Sequence, residues 1–313
     1  MTTKGFKKLA SLPFPLGAPT WPDSVERPSK LRKVGLDYDN AWSRRYPARL
    51  VRAMVLDNLG RPTVRVLAPS TVRGYHHVEQ LEGPVIFVAN HASHLDTGVI
   101  LTHLPTHLRH KTIVAAASDF FFDRTWKAAT WSLLLGAIPI ERTKIDRRSA
   151  AQAEELLEEG WNLVIFPEGG RTPDGWMQDF KAGAAFLSCK TGAAVVPIWL
   201  GDTGKILKKG SDFNGRPPGG SGTEDAESGG LHRHRVSVSF GSPLRPEPDD
   251  NARRFAPRIE AAVELLGREV STDFWQARRN PNPANTRGPE AAPWRRAWAK
   301  PEDGEHMASW PKR

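Results

Sequence analysis

The chain has 313 residues, a net charge of +9 and a hydrophobic content of 39%, enough for one large domain or two modest ones. Its single cysteine, Cys189, excludes an intramolecular disulfide and is typical of a reducing compartment. No run approaches the roughly 18 apolar residues of a membrane span, and prolines interrupt the apolar part of the basic start. We therefore expect a cytoplasmic protein, peripherally associated with the inner face of the membrane.

The positive charge is concentrated at the two ends of the chain. Residues 1–60 carry 11 basic and 5 acidic side chains and residues 271–313 carry 8 and 5, whereas the middle is neutral. The two ends also hold six of the 11 tryptophans. Basic residues combined with tryptophan suit an anionic membrane surface, nucleic acid, or solvated tails with a few packed aromatic rings.

Composition divides the chain into three parts. Residues 1–37 form an arm rich in proline and lysine, residues 38–270 form the main domain, and residues 271–313 form a basic tail rich in tryptophan. Within the domain, residues 205–231 are rich in glycine but match no phosphate-binding loop. We predict that this segment is a mobile insertion.

The main domain alternates predicted strands and helices. The expected strands are 64–67, 72–75, 85–89, 112–116, 136–140, 163–166, 194–200 and 235–240. The expected helices are 47–59, 93–104, 118–134, 147–159, 182–191 and 250–270. The first helix carries an apolar stripe that suits either the core or a membrane interface. This alternation predicts an α/β fold, a layered mixed sheet flanked by helices, with the last strand at an edge and the functional site at strand ends.

The segment VIFVANHASHLD, residues 85–96, places a histidine and an aspartate directly after a buried strand. Positions five apart lie about 140° apart around an ideal helix. His91 and Asp96 can therefore meet only if His91 lies at or before an irregular first turn and Asp96 lies inside the helix. A histidine oriented by a carboxylate is suited to general base catalysis. Alone, however, such a histidine is more often structural, and such an aspartate often only complements the helix dipole.

Three later motifs fall at predicted strand ends, where they would lie beside His91. They are GAIPIER, which ends at Arg142, FPEGGRT, which begins at Phe166, and VVPI, which begins at Val195. The ordered set N-H-x-x-x-x-D, G-x-x-P-I-x-R, F-P-E-G-x-R-[ST] and V-P-I resembles the glycerolipid acyltransferase family, in particular the bacterial 1-acylglycerol-3-phosphate acyltransferases. The resemblance covers about residues 60–245.

This resemblance implies transfer of an acyl group from acyl-CoA or acyl carrier protein to the free hydroxyl of 1-acylglycerol 3-phosphate, a step in phospholipid biosynthesis. Glycerol 3-phosphate or another lysophospholipid is the alternative acceptor. His91 would be the general base and Asp96 its orienting carboxylate, without a covalent intermediate, cofactor or metal. The positions that match the family's acceptor-binding residues are Arg142, Glu168, Gly169 and Arg171. Position 170 is glycine, where the family more often has a hydroxyl residue or another small side chain.

Two other functions fit parts of the sequence. A metal-dependent hydrolase built on His91, His94 and Asp96 would need histidines at positions that hold Ala92 and Thr97. A membrane-surface binding protein with a degenerate acyltransferase fold would use the basic, tryptophan-rich ends. No nucleic-acid-binding motif is present in the sequence, which favours a membrane over nucleic acid as the partner of these ends.

Overall fold

The computed structural model describes residues 34–141, 147–172, 176–206, 235–279 and 284–288. The predicted arm up to residue 33, nearly all of the glycine-rich insertion, Arg142 and the tail beyond residue 288 lie outside the described residues. The boundaries predicted for the three parts of the chain stay predictions.

Seven strands form a single sheet within the described residues. The strands are β1 (Ser70–Arg73), β2 (Val85–Ala89), β3 (Thr112–Ala117), β4 (Ala137–Ile140), β5 (Asn162–Ile165), β6 (Ala194–Gly201) and β7 (Val236–Phe240). Their order across the sheet is β1-β7-β6-β2-β5-β3-β4. Strands β2 to β6 run parallel, and β7 is antiparallel to β6 and parallel to β1. The predicted mixed sheet is confirmed.

Helices cover both faces of the sheet. They are α1 (Tyr46–Val55), α2 (Arg61–Leu67), α3 (His76–Glu79), α4 (Asp96–His103), α5 (Thr106–Arg109), α6 (Ser118–Phe121), α7 (Thr125–Leu135), α8 (Arg147–Glu158), α9 (Gly183–Thr191), α10 (Thr203–Ile206), α11 (Ala252–Ser271), α12 (Phe274–Arg279) and α13 (Ala284–Arg287). A π-helical turn, Leu56–Gly60, joins α1 to α2, and short 3-10 turns lie at Gly35–Asp37 and Ala41–Arg44.

The core has two main layers because alternate residues of each strand point to opposite faces of the sheet. In β2, Ile86 and Val88 pack with residues of α8, α9 and α11, whereas Phe87 packs on the other face with residues of α2, α4 and α5. Strands that are buried on both faces have continuous apolar runs in their sequences. The apolar pattern of the sequence therefore predicted β2, β5 and β6 correctly.

Three predictions of secondary structure were wrong. The single helix predicted over residues 118–134 is two helices, α6 and α7, separated at residues 122–124. Residues 64–67 belong to α2 and not to a strand, because Val64 is buried against the core as one apolar position of a helical face. Short runs of β-branched residues do not by themselves distinguish a strand from a helix. The last strand, β7, is not at the edge of the sheet, since β1 pairs with it on the outside.

The first two helices leave several large apolar side chains exposed. These are Tyr46, Leu50, Val51, Met54, Leu59 and Val66, on α1, the π-helical turn and α2. Two further exposed rings, Phe120 and Trp126, lie on α6 and α7, and Phe122 between them is fully buried. Among the described helices, none combines the length and the apolar character needed to cross a membrane.

Candidate active site

Adjacent parallel strands bring the two main motifs together. Strand β2 pairs directly with β5, with Ile86 opposite Leu163, so the two strands end at the same edge of the sheet. The turn after β2 carries His91, and the loop after β5, residues 166–172, carries the FPEGGRT motif. This carboxyl edge of the parallel strands is where α/β proteins commonly place their ligands.

His91 and Asp96 are in direct contact. Helix α4 begins at Asp96 and His91 lies in the turn before it, which is the arrangement that the spacing required. The His91 Nδ1 atom lies 2.9 Å from Asp96 Oδ2, and the same oxygen accepts hydrogen bonds from the backbone N–H groups of Ala92 and Ser93, both at 2.8 Å. The Asp96 side chain is fully buried. One buried carboxylate oxygen therefore orders the turn and the imidazole together.

This contact determines which nitrogen of His91 can act as a base. With a carboxylate beside Nδ1, the favoured neutral tautomer places the hydrogen on Nδ1 and leaves the lone pair on Nε2. The imidazole stacks on Phe166, with ring centroids 4.1 Å apart, and the side chain keeps 18% of its surface exposed. The geometry thus orients Nε2 as the atom that can accept a proton from a bound molecule.

The loop after β5 holds the backbone of His91 on both sides. Glu168 Oε1 accepts a hydrogen bond of 2.9 Å from the His91 N–H, and the Thr172 N–H donates to the His91 carbonyl oxygen at 2.8 Å. The second oxygen of Glu168 accepts from the Gln178 N–H at 3.3 Å. Because its two oxygens accept from His91 and Gln178, the buried carboxylate of Glu168 links the histidine turn to the loop that follows the motif.

Gly169 adopts a backbone conformation that disfavours other residues. Its φ of +77° lies in the left-handed region, and a Cβ at this position would lie 2.6 Å from the Lys181 Nζ atom. The Lys181 N–H also donates to the Pro167 carbonyl oxygen at 2.9 Å. The turn is therefore closed by Lys181.

Arg171 and His94 lie near each other at this edge of the sheet. The pKa of His94 is lowered to about 4 by desolvation and by the positive charge of Arg171. The ring of His94 stacks on Phe120 with centroids 5.7 Å apart, so the chain just after β3 also reaches this edge. Arg142, the remaining predicted acceptor-binding residue, lies outside the described residues.

Asn90 fixes the strand end that precedes His91. Its side-chain amide donates to the Leu200 carbonyl oxygen at 2.9 Å and its oxygen accepts from the Leu200 N–H at 2.7 Å. This buried pair of bonds ties the end of β2 to β6. Both bonds join segments that lie 110 residues apart in the chain.

The histidines of the rival metal site make other contacts. The described residues contain no group of three His, Cys, Asp or Glu side chains placed to hold a metal ion. The imidazole of His94 stacks on Phe120, whereas that of His91 stacks on Phe166 and contacts Asp96.

Comparison with known proteins assigns this part of the chain to a family. Residues 69–201 match the model of the Acyltransferase family. The matched segment contains His91, Asp96 and the FPEGGRT loop, and the resemblance predicted from the motifs is confirmed.

Several proteins of similar sequence carry related names. The chloroplastic 1-acyl-sn-glycerol-3-phosphate acyltransferase of Arabidopsis thaliana is 33% identical over 150 residues, which is 45% of this chain and 38% of the relative. The alpha 1-acyl-sn-glycerol-3-phosphate acyltransferase of Homo sapiens is 31% identical over 205 residues, 64% of this chain and 65% of the relative. The chain spans about two fifths of the length of its plant and algal relatives.

A solved structure was also matched. It is the 1-acyl-sn-glycerophosphate acyltransferase PlsC of Thermotoga maritima, which is 21% identical, with a TM-score of 0.49, over 72% of this chain and 80% of that chain.

Proposed function

We propose that the protein is an O-acyltransferase that acylates the free hydroxyl of 1-acylglycerol 3-phosphate, using acyl-CoA or acyl carrier protein as the donor. The observation that carries the proposal is the 2.9 Å contact between His91 Nδ1 and Asp96 Oδ2 within the segment that matches the Acyltransferase family model. The names of the relatives in Arabidopsis thaliana and Homo sapiens support this acceptor.

In the proposed reaction, His91 Nε2 accepts the hydroxyl proton of the acceptor while the hydroxyl oxygen attacks the thioester carbonyl carbon. Asp96 stabilises the imidazolium that forms, and such base catalysis typically contributes about 10²–10⁴ in rate. When the tetrahedral intermediate collapses, the carbon–sulfur bond breaks and the imidazolium returns the proton to the leaving thiolate. The acyl group passes directly to the acceptor, so no side chain of the protein is acylated.

The acceptor phosphate is assigned to the loop after β5 and to Arg142. A guanidinium group can bind a phosphate through two parallel hydrogen bonds, which a lysine ammonium cannot reproduce. Arg171 is half-buried in this loop, close enough to His94 to affect its pKa, and thus lies near the histidine turn. Glu168 and Gly169 shape the same loop, and a contact between Glu168 and a glycerol hydroxyl stays a prediction.

We also propose that the protein works at an anionic membrane surface, where its lipid acceptor resides. The exposed apolar side chains of α1, the π-helical turn and α2 support this assignment, because soluble surfaces rarely cluster so many large apolar groups. Phe120 supports it as well, since its exposed ring stacks on His94, three residues after His91.

The direct test is an assay of the purified protein against a panel of acceptors and two donors. The acceptors are 1-acylglycerol 3-phosphate, glycerol 3-phosphate and lysophospholipids with other headgroups, and the donors are acyl-CoA and acyl carrier protein. We expect the highest kcat/KM with 1-acylglycerol 3-phosphate. Higher kcat/KM with glycerol 3-phosphate would contradict the proposed acceptor. Binding to lipid vesicles without any transfer would instead favour a membrane-binding protein that has lost catalysis.

A further inference from the structure

A cavity of about 320 Å³ lies at the opposite end of the sheet from His91. It is bounded by residues that precede β3, by the end of β1 and by the last turn of α4. Helix α4 begins at Asp96 and ends at His103, so the cavity is roughly 10 Å along the helix axis from the catalytic carboxylate. The cavity is therefore separate from the proposed active site.

Side chains with hydrogen-bond donors dominate the walls of this cavity. They include Arg61, Arg65, Tyr75, His103, Thr106 and Arg109. Among the described residues that line it, there is no carboxylate. Neither Arg61 nor Arg65 forms a salt bridge with a described carboxylate, and both sit on α2. The positive charges of Arg61 and Arg65 add to desolvation in lowering the pKa of His103, so they lie near this histidine.

Arg109 is a buried arginine that lines the cavity. It is only 2% exposed, and its guanidinium donates to the Leu104 carbonyl oxygen at 2.8 Å and to Thr106 Oγ1 at 3.1 Å. Asp57 Oδ1 lies 2.8 Å from Arg109 Nη2 and offsets this one charge. The Nε of Arg109 has no hydrogen-bond partner among the described residues, although buried polar groups are nearly always bonded.

We propose that this cavity binds a phosphate group of an anionic compound, at a site distinct from the acyl-transfer centre. Three guanidinium groups with one nearby carboxylate leave a net positive site, and arginine is the side chain best matched to phosphate oxygens. The hydroxyl groups of Thr106 and Tyr75 provide further hydrogen bonds. The volume of about 320 Å³ accommodates a phosphate ester and lies within the range of ordinary ligand sites.

The phosphate can come from two sources, a phospholipid headgroup or a soluble phosphate. The exposed Leu59 and Val66 lie close in sequence to Arg61 and Arg65, so a lipid surface that contacts these apolar residues could present its headgroups to the cavity. Both sources share the same chemistry at the arginines, and the experiment below separates them.

The test compares two full-length variants that lose the same charge. The test variant is Arg61→Gln with Arg65→Gln, and the matched control is Arg253→Gln with Arg254→Gln, at exposed positions on α11. One arm titrates inorganic phosphate by calorimetry. The other measures sedimentation with phosphatidylcholine vesicles that contain or lack phosphatidylglycerol. We expect the test variant to bind roughly thirtyfold more weakly in at least one arm, while the control matches the wild type.

The arm in which the test variant binds more weakly identifies the source of the phosphate. Weaker binding of inorganic phosphate indicates a soluble phosphate, whereas weaker binding to phosphatidylglycerol vesicles alone indicates a lipid headgroup. If the test variant equals the control in both arms, the proposal is wrong. Acyl transfer to a short-chain, water-soluble acceptor should remain normal in the test variant, so failure of this site and failure of the proposed catalytic function are distinguishable.

Discussion

The two ends of the parallel strands bury charges of opposite sign. At the carboxyl end, Asp96 and Glu168 are buried carboxylates that accept hydrogen bonds from backbone N–H groups of nearby turns. At the amino end, Arg52 and Arg109 are buried guanidinium groups that donate to backbone carbonyl oxygens at helix ends. In each case backbone groups of complementary polarity compensate much of the charge, as expected from helix and turn dipoles.

The difference between the two ends lies in what else the charge contacts. Asp96 also contacts His91, a titratable side chain that reaches the surface. Arg52 instead donates to three carbonyl oxygens, those of Ser43, Ser132 and Leu133, and burial lowers its pKa to about 10. Buried charge compensated by backbone groups thus orients the proposed base at one end, and at the other end it holds α1 against α7.

The largest effect is expected when the carboxylate of the His91 pair is neutralised. Asp96→Asn keeps an oxygen for the Ala92 and Ser93 N–H groups but removes the charge that stabilises the imidazolium. We expect kcat to fall by up to about 10⁴-fold, as in hydrolase triads, with near-normal thermal stability. The control is Asp249→Asn at an exposed position, which should retain full activity. Steady-state kinetics of both variants measure this effect, and a fall in kcat of less than tenfold for Asp96→Asn would rule out the proposed role of Asp96.

At the amino end of the strands, removing the buried charge should lower the stability of the protein rather than its turnover rate. Arg52→Met leaves three backbone carbonyl oxygens without their donor, which should lower the free energy of unfolding by about 3 kcal/mol. Arg45→Met, at an exposed position next to the same helix, should change it by less than about 0.5 kcal/mol. Chemical denaturation measures both values, and equal stability of the two variants would show that the contacts of Arg52 are energetically neutral.

Glu168 offers a test between positioning and binding. If it acts by holding the His91 backbone, Glu168→Ala should lower kcat by roughly 10–100-fold with little change in KM for the acceptor, because about two hydrogen bonds are lost. Glu168→Gln keeps one acceptor oxygen for the His91 N–H and should restore much of the rate. A rise in KM with unchanged kcat would instead indicate that Glu168 binds the acceptor.

The smallest effect concerns the protonation of His94. Its pKa is about 4 in the folded protein and 6.5 ordinarily, so the unfolded chain binds more protons between these values. His94 therefore has no effect on stability above about pH 6.5 and lowers it progressively as the pH falls towards 4. His94→Gln should reduce the stability that is lost between pH 7 and pH 5, measured by urea denaturation. An unchanged loss would contradict the lowered pKa.

The sequence predicted the fold best where burial is complete. Strands β2, β5 and β6 are apolar on both faces and were located within one or two residues. Prediction was wrong at residues 64–67, where the short sequence VRVL was compatible with either secondary structure. It was also wrong about the edge of the sheet, since the alternating pattern of β7 does not reveal that β1 pairs beyond it.

Of the candidate site, the sequence predicted the local contact but not the long-range ones. The spacing of His91 and Asp96 is local, so it could be evaluated from helix geometry. The bonds from His91 to Glu168 and Thr172 join segments far apart in the chain and depend on which strand lies beside β2. That pairing is set by tertiary packing, and no local pattern encodes it.

The most direct measurement of the central claim is acyl transfer by His91→Ala. The variant should fold normally, since the His91 backbone bonds to Glu168 and Thr172 do not need the imidazole. We predict that transfer from acyl-CoA to 1-acylglycerol 3-phosphate falls by at least about 10²–10⁴-fold relative to the wild type. Turnover within tenfold of the wild type, in a variant with the same melting temperature, would contradict the assignment of His91 as the base.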